Sequence, residues 1–511
     1  MNFLFIFISS ILFALSFPPY SIWGLGFICF IPLFIALNHA KTLMQHCIYG
    51  FLFGVFYVYT CGYWLFYALM VHYEKSFDFT ILFIGLLVQI PFGIIFGFFG
   101  SGFGILKKNH LVFYSVIMPS LWCMMEYLLE MIKYMIPWGL AGYTVLSVDP
   151  FIQIADIGGV HLISFIVMMI NGILVYLLSN YHNQLHKSFH PKRVYQFLKT
   201  QKIAVFIVLV AFFLPYIYGI QRIETIEKYI QTSKFKYPIK IIQANFSQKE
   251  RWEGDFTFRL NTYLGWSDCT NLNSSCLVIW PETVLNSVDH LNMDFFARLM
   301  AHIGPNSMLF TGGVRLADEQ KNQYNSVYFI SGQGQLSWYD KHILLPYAET
   351  APVQNTLGTY YNAPSEFIPG QTPLTIQTSY GIAGISICFE SLYSRFIRFA
   401  VHNEGAQFFV NVSNDSWFGK TSMPYHHFNA SRIRAIETRR FLIRSSNSGI
   451  SGIISPTGDI VDQTELYTRT ALIGWFSPLS ISTVYNQFGD WLLYMISSII
   501  IISVCHNLLR D

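Results

Sequence analysis

Gly381-Ile-Ala-Gly-Ile-Ser-Ile-Cys-Phe-Glu-Ser391 is an apolar run that closes on a cysteine. It reads as a strand with the Cys388 thiol at its end. Two more stretches have the same form. Val278-Ile-Trp-Pro-Glu-Thr283 puts Glu282 after an apolar run, and Trp338-Tyr-Asp-Lys-His342 puts Lys341 after another. Residues at strand ends gather along one rim of a sheet, where scaffolds commonly carry chemistry. A thiol, a carboxyl group and a fixed ammonium together form a kit for acyl chemistry.

Outward from these stretches, the chain between Pro238 and Trp475 alternates short β-rich runs with helical patterns. Strands are predicted at Ile239–Gln243, Cys276–Trp280, Met308–Gly312, Val327–Ser331, Gln335–Tyr339, Ile382–Cys388, Gln407–Val412, Leu442–Ser446, Gly449–Ser455 and Ala471–Trp475. Helices are predicted at Asp294–His302 and Tyr425–Arg440. This alternation indicates an α/β domain of one-unit size. Several strands are apolar throughout, so both faces of the sheet are expected to be covered.

The rest of the chain is of another kind. Of 511 residues, 53% are hydrophobic and 12% charged, against about 25% charged in soluble domains. Apolar stretches near 3–17, 23–38, 47–70, 79–105, 111–131, 158–180, 203–220 and 488–507 are candidates to cross a bilayer. The first lacks a basic leader and is followed by Phe17-Pro-Pro-Tyr20, so it is read as retained. The expected organisation is a membrane domain at 1–220 with seven spans, a catalytic domain at 221–487, and an eighth span with its tail at 488–511.

Lysine and arginine set the orientation. Lys41, Lys107, Lys108, Lys187, Lys192, Arg193, Lys199, Lys202 and Arg510 fall in one set of loops, with only Lys75 and Lys133 in the alternate set. The basic side is cytoplasmic, which puts 221–487 outside, in a bacterium the periplasm. A net charge of +3, scattered along the chain, gives no case for nucleic acid. Of eight cysteines, five lie in or beside apolar spans as small packing residues. Cys269 and Cys276 sit in a polar loop of the oxidising compartment, where a local disulfide and two free thiols are both open readings. No Cys or His spacing suggests zinc, and no cofactor is called for.

A thiol attacks only as thiolate, and an apolar strand end would raise its pKa above about 8.5. Lys341 could offset that as a cation and Glu282 as a base. Each residue alone has a plain reading: Cys388 as packing, Glu282 as a turn residue, Lys341 as surface charge. Their order and shared context favour catalysis.

These three residues resemble the Glu–Lys–Cys triad of the nitrilase, or carbon–nitrogen hydrolase, superfamily. Within it the whole chain resembles the apolipoprotein N-acyltransferase family, a membrane-embedded branch. The resemblance rests on Trp280-Pro-Glu282, Tyr339-Asp-Lys-His-Ile-Leu-Leu-Pro-Tyr-Ala-Glu349, Cys388-Phe-Glu390, Asn411-Val-Ser-Asn-Asp-Ser-Trp-Phe-Gly419 and Arg434-Ala-Ile-Glu-Thr438, with Phe17-Pro-Pro19 and Pro137-Trp-Gly-Leu-Ala-Gly-Tyr143 in the apolar half. It implies an αββα sandwich beside an eight-span helical membrane domain in the bacterial inner membrane, and a monomer. It implies ping-pong transfer of an acyl chain from a phospholipid, by family habit phosphatidylethanolamine, through Cys388 to the diacylglyceryl-cysteine amine of an apolipoprotein. Glu282 would be the base and Lys341 the oxyanion stabiliser, with Glu349, Glu390 and Trp252 in support. The chain departs from the family at Phe389, commonly tyrosine, and at Pro346-Tyr-Ala-Glu349, commonly Pro-Phe-Gly-Glu.

Other residues carry two readings. His426 and His427 open a helix and lack further ligands for a metal, so helix-start or surface positions are expected. Arg432, Arg434, Arg439, Arg440 and Arg444 read as structural ion pairs, or as contacts to lipid phosphate. Glu126 lies inside an apolar span, either functional or interfacial. Tyr360, Tyr361, Trp417 and Phe418 are lid or core residues. Two rival functions stand beside the acyltransferase: a membrane-tethered amidase, which leaves the apolar half unemployed, and a transporter or sensor, which needs an inert triad.

Overall fold

The computed structural model describes residues 1–73, 79–108, 110–132, 135–184, 197–252, 254–269, 275–285, 293–304, 306–317, 322–345, 349 and 367–509. Lys75, Lys133, Lys187, Lys192, Arg193, Arg510, Tyr360, Tyr361 and the loop 346–348 lie outside the described residues. The chain forms two compact units, one from Met1–Ile132, Pro137–Thr225 and Phe488–Asp511, the other mainly from Ile226–Gln487.

The first unit is helical. Among the described residues, four helices are long and apolar enough to cross a bilayer: Gln89–Leu106, Ala155–Tyr181, Lys202–Thr232 and Trp491–Leu508. A fifth is available if Leu43–Cys61 and Trp64–Val71, bent by 63°, act as one span. The other three stretches fall short for visible reasons. Asn2–Ser16 has 15 residues, where a straight crossing takes roughly 20. The stretch 23–38 divides into Trp23–Gly26 and Ile31–His39. The stretch 111–131 opens on a π turn, Phe113–Ile117, before Met118–Met131. Trp122 is enclosed by Phe30, Phe53, Phe96 and Phe99. Glu126 is buried, and Oε1 accepts from Trp122 Nε1 at 2.9 Å and from the Ala141 backbone N–H at 2.7 Å. This carboxyl group ties the Pro137–Tyr143 segment to its helix, a structural role rather than an interfacial one.

The second unit holds twelve strands: β1 (Tyr237–Gln243), β2 (Leu277–Ile279), β3 (Met308–Leu316), β4 (Gln323–Ser331), β5 (Leu336–Asp340), β6 (Thr375–Thr378), β7 (Gly381–Ile387), β8 (Phe408–Ser413), β9 (Leu442–Ser446), β10 (Gly452–Ile454), β11 (Ile460–Gln463) and β12 (Thr470–Phe476). They make two six-stranded sheets, ordered β12-β1-β2-β3-β4-β5 and β11-β10-β9-β8-β7-β6. Each sheet has a parallel centre, β1-β2-β3 in one and β7-β8-β9 in the other, flanked by antiparallel strands. β2, β8 and β9 are buried along their whole length, as covering on both faces requires.

The inner faces meet through contacts such as Phe408 on Phe476, ring centroids 4.6 Å apart, and Ser451 Oγ donating to Gln243 Oε1 at 2.7 Å. Outside the first sheet, Phe256–Trp266 and Met293–Ile303 bring Tyr263, Phe296, Leu299 and Met300 into one apolar cluster with Val278, Trp280 and Leu309. Outside the second lie Ser394–His402 and Met423–Thr438. The layering is αββα.

The arginine-rich helix is internal. Arg434 Nη2 lies 3.0 Å from Glu437 Oε1, both side chains without exposure, and Arg432 and Arg440 donate to backbone carbonyls. Removing one member of a buried pair strands the other charge. Arg434→Met should therefore lower stability by about 3–5 kcal/mol, and adding Glu437→Leu should recover most of it. Denaturant titration of the two variants checks both outcomes.

Candidate active site

The chain turns sharply at each proposed site residue. Glu282 follows β2, and Lys341 follows β5 in the same sheet, whereas Cys388 follows β7 in the other. The expected single rim is thus made by two sheets. Thr283 (φ 48°) and Cys388 (φ 53°) adopt left-handed backbone conformations, uncommon for residues with a Cβ and typical of functional sites held by their surroundings. Two glycines let the loops close. A Cβ on Gly312 would meet Glu282 Cα at 2.5 Å, and one on Gly370 would meet Asp340 O at 2.3 Å.

Lys341 is 1% exposed and meets Glu349 at 2.9 Å and Glu282 Oε1 at 3.6 Å. Burial would lower its pKa, but the carboxylates of Glu349 and Glu282 outweigh burial and hold it above its ordinary range. Asn325 Nδ2 bridges the same two acids, at 2.8 Å to each. Burial pushes Glu282 up, opposed by Lys341.

Burial pushes the Cys388 thiol up to about 12, Glu282 adds to this, and Lys341 pulls the other way. At rest the sulfur is thus a thiol. Phe389 is buried beside it, with Lys341 Nζ 5.1 Å from the ring centroid. An aromatic wall for the ammonium therefore needs no hydroxyl.

Glu390 joins the two sheets' loops. Its carboxylate accepts from Tyr339 Oη at 2.8 Å, from the N–H groups of His342 and Ile343 at 2.8 and 2.9 Å, and from Ile387 N–H at 2.7 Å. Burial raises it from the usual 4.5 to about 7, against the pull of Lys341 and these donors. The folded chain thus holds this proton more tightly than the unfolded one. Its contribution to stability is full below about pH 4.5 and is lost as pH rises through about 7. Glu390→Gln should flatten that slope in melts taken between those limits.

Trp252 closes the helix Gln248–Trp252, and its side chain lies outside the described residues. Its neighbour Arg251, unmarked in the sequence reading, is buried. Its Nη2 donates to Glu282 O at 2.9 Å and Thr283 O at 3.2 Å, so it grips the strained turn. Cys269 and Cys276 form a disulfide just before β2. Phe418 is buried and Trp417 half-buried.

His427 corrects the expectation of a surface residue. It opens a helix but is fully buried, because Asp415 pairs with it, Nδ1 to Oδ1 at 3.1 Å. One atom each of Cys388, Asp415 and His427 lie within 4.8 Å of one another, a donor set with the look of a metal site. Arg444 Nη2, 2.9 Å from Asp415 and 3.0 Å from His427, already supplies a cation there, so the set does not suit a metal ion.

An αββα unit with a buried thiol, ammonium and carboxyl group along its rim is a carbon–nitrogen hydrolase domain, and residues 240–481 match the family model described as "Carbon-nitrogen hydrolase". Residues 9–173 match another, "Apolipoprotein N-acyltransferase N-terminal domain". Along nearly its whole length the chain is similar to apolipoprotein N-acyltransferases. It is 27% identical to "Apolipoprotein N-acyltransferase" of Rickettsia prowazekii, covering 98% of this chain and 96% of that one. It is 26% identical to the protein of that name from Geobacter metallireducens, covering 94% and 91%. Among solved structures, Nit3 of Saccharomyces cerevisiae, a nitrilase-superfamily member, is 17% identical, covers 50% of this chain and 95% of its own, and aligns with a TM-score of 0.37.

Proposed function

We propose that this membrane-bound enzyme moves an acyl chain from a phospholipid to the N-terminal amine of a diacylated apolipoprotein, through a thioester on Cys388. The observation that carries the reading is one chain joining a family-matched apolar half to a domain where Cys388 feels both Glu282 and Lys341. In the first half-reaction the sulfur attacks the ester carbonyl as Glu282 takes the thiol proton. The C–S bond forms, Lys341 faces the oxyanion, and the C–O bond breaks. The lysophospholipid leaves with the proton from Glu282. In the second, the amine attacks the thioester, the C–N bond forms, the C–S bond breaks, and Glu282 passes the amine proton back to sulfur. Glu349 keeps Lys341 charged, and Glu390 holds the two loops together.

Phosphatidylethanolamine is the proposed donor and a monomer the proposed state. We also read eight crossings, the shorter apolar stretches completing those that span by length alone. The domain boundaries are 1–220, 221–487 and 488–511. The basic loops put the catalytic domain on the periplasmic side of the inner membrane. Lipid anchorage suits the substrates, since acyl chains cost about 0.8 kcal/mol per CH₂ to expose to water.

The test uses the full chain in detergent with labelled phosphatidylethanolamine. Without acceptor, labelled Cys388 should accumulate. A diacylglyceryl-cysteine peptide should then clear the label as the triacylated product. Rapid release of free fatty acid, or cleavage of a small amide with no need for phospholipid, would overturn the reading.

A further inference from the structure

Beside Cys388 lies a second charged cluster that the steps above leave unused. Asp415, His427 and Arg444 have no side-chain exposure. Arg444 Nη2 is 2.9 Å from Asp415 Oδ2, 3.0 Å from Ser413 Oγ and 3.0 Å from His427 Nδ1. That nitrogen has two hydrogens for three neighbours. Asp415 and Ser413 take them if His427 Nδ1 carries its own hydrogen and donates to Asp415 Oδ1. Nε2 is then a bare acceptor, fully buried and without a hydrogen-bond partner. An empty buried acceptor calls for an explanation.

The cluster also reaches the backbone of the nucleophile. Arg444 grips Asn411 Oδ1, and Asn411 Nδ2 donates to Cys388 O at 3.1 Å. His427 faces the Cys388 backbone as well, though no bond of ordinary geometry reaches Nε2.

We propose that His427 is a positioning residue for the Cys388 thiol. With Nδ1 fixed by Asp415, Nε2 accepts the S–H bond and directs the sulfur at the acyl carbonyl. The inference rests on Cys388 being the nucleophile. Burial, and then Arg444, hold His427 below its ordinary pKa, which keeps the acceptor neutral. The titratable groups acting on the sulfur are Glu282, Lys341 and Asp415, and those acting on the ring are Arg444 and Asp415.

The experiment uses the full chain carrying His427→Asn or His427→Gln. Iodoacetamide alkylation of Cys388 is followed by mass spectrometry across pH, together with its acylation by labelled phosphatidylethanolamine. Asparagine keeps a nitrogen for Asp415 but loses Nε2. Acylation should fall about 100-fold, the usual result of a misplaced reacting group. The alkylation midpoint should move by about one pH unit, since a lost hydrogen bond acts on the thiol directly. Glutamine, which places an oxygen near the Nε2 position, should restore part of both.

A folded asparagine variant with wild-type alkylation and acylation overturns the proposal. So does equal loss in both variants with an unmoved alkylation profile, which marks a role in packing alone. If the asparagine variant does not fold, His427→Phe, which keeps a ring and has no acceptor, must lose acylation and move the profile, and an unmoved profile is decisive against the proposal. A wild-type chain that never acylates from phospholipid would end the acyl-transfer reading, while the alkylation profile still judges His427.

Discussion

Cys388→Ala is expected to leave a folded chain with no acyl transfer and no lipid-linked enzyme. The change deletes one atom beyond Cβ, so thermal melting should stay close to wild type. Covalent catalysis has no substitute for its nucleophile, and losses on the order of 10⁶ in turnover follow its removal elsewhere. The neighbouring groups cannot compensate. In the proposed mechanism Glu282 takes the sulfur's proton and Lys341 faces the oxyanion of the sulfur's adduct, and neither the proton nor the adduct exists without the sulfur. Mass spectrometry of residue 388 and of the acceptor peptide provides two readouts that must fail together. Persistent product formation would return Cys388 to a packing role and revive the reading of a transporter or sensor with a borrowed domain.

The strands that carry chemistry were legible because they are apolar throughout. β7, β8 and β9 stand within a residue of their expected positions at one or both ends. β6 and β11 went unseen for a physical reason. Both are short edge strands of the second sheet, Thr-Ile-Gln-Thr and Ile-Val-Asp-Gln, and β11 is exposed at every residue. An edge strand needs no apolar run, so no signal was there to read. The apolar half shows the opposite limit. Composition marks where chain enters lipid-like surroundings, but the break between Trp23–Gly26 and Ile31–His39 is set by backbone geometry.

In the site, Glu282, Lys341 and Cys388 stood out because each follows an apolar run. Arg251, Asn325 and Asn411 did not, since their work is to hydrogen-bond backbone or carboxylates across long separations. His427 and Arg444 were conspicuous and Asp415 lay unremarked in the Asn411–Gly419 stretch, and nothing in their spacing says that they meet.

Lys341→Met should produce the second large effect, and it should have two separable parts. The first is chemical. Methionine keeps the length and loses the cation, and an oxyanion without its preorganised partner should react about 10²- to 10³-fold more slowly. The second is structural. Lys341 neutralises two acids, Glu349 at 2.9 Å and Glu282 at 3.6 Å, in a place almost closed to water. Without it those carboxylates face each other, and destabilisation of about 3–5 kcal/mol is expected at neutral pH.

The sign of the pH response follows. Burial already raises Glu282, and without the ammonium that opposes it the variant should regain stability as pH falls and Glu282 takes up a proton. The wild type, whose Glu282 is also raised by burial but opposed by the ammonium, should show the same recovery to a smaller degree. Adding Glu349→Gln removes one of the facing charges. The double variant should melt near wild type at neutral pH and remain catalytically slow. If stability and activity return together, Lys341 serves the fold alone, and the oxyanion must be held by some other group.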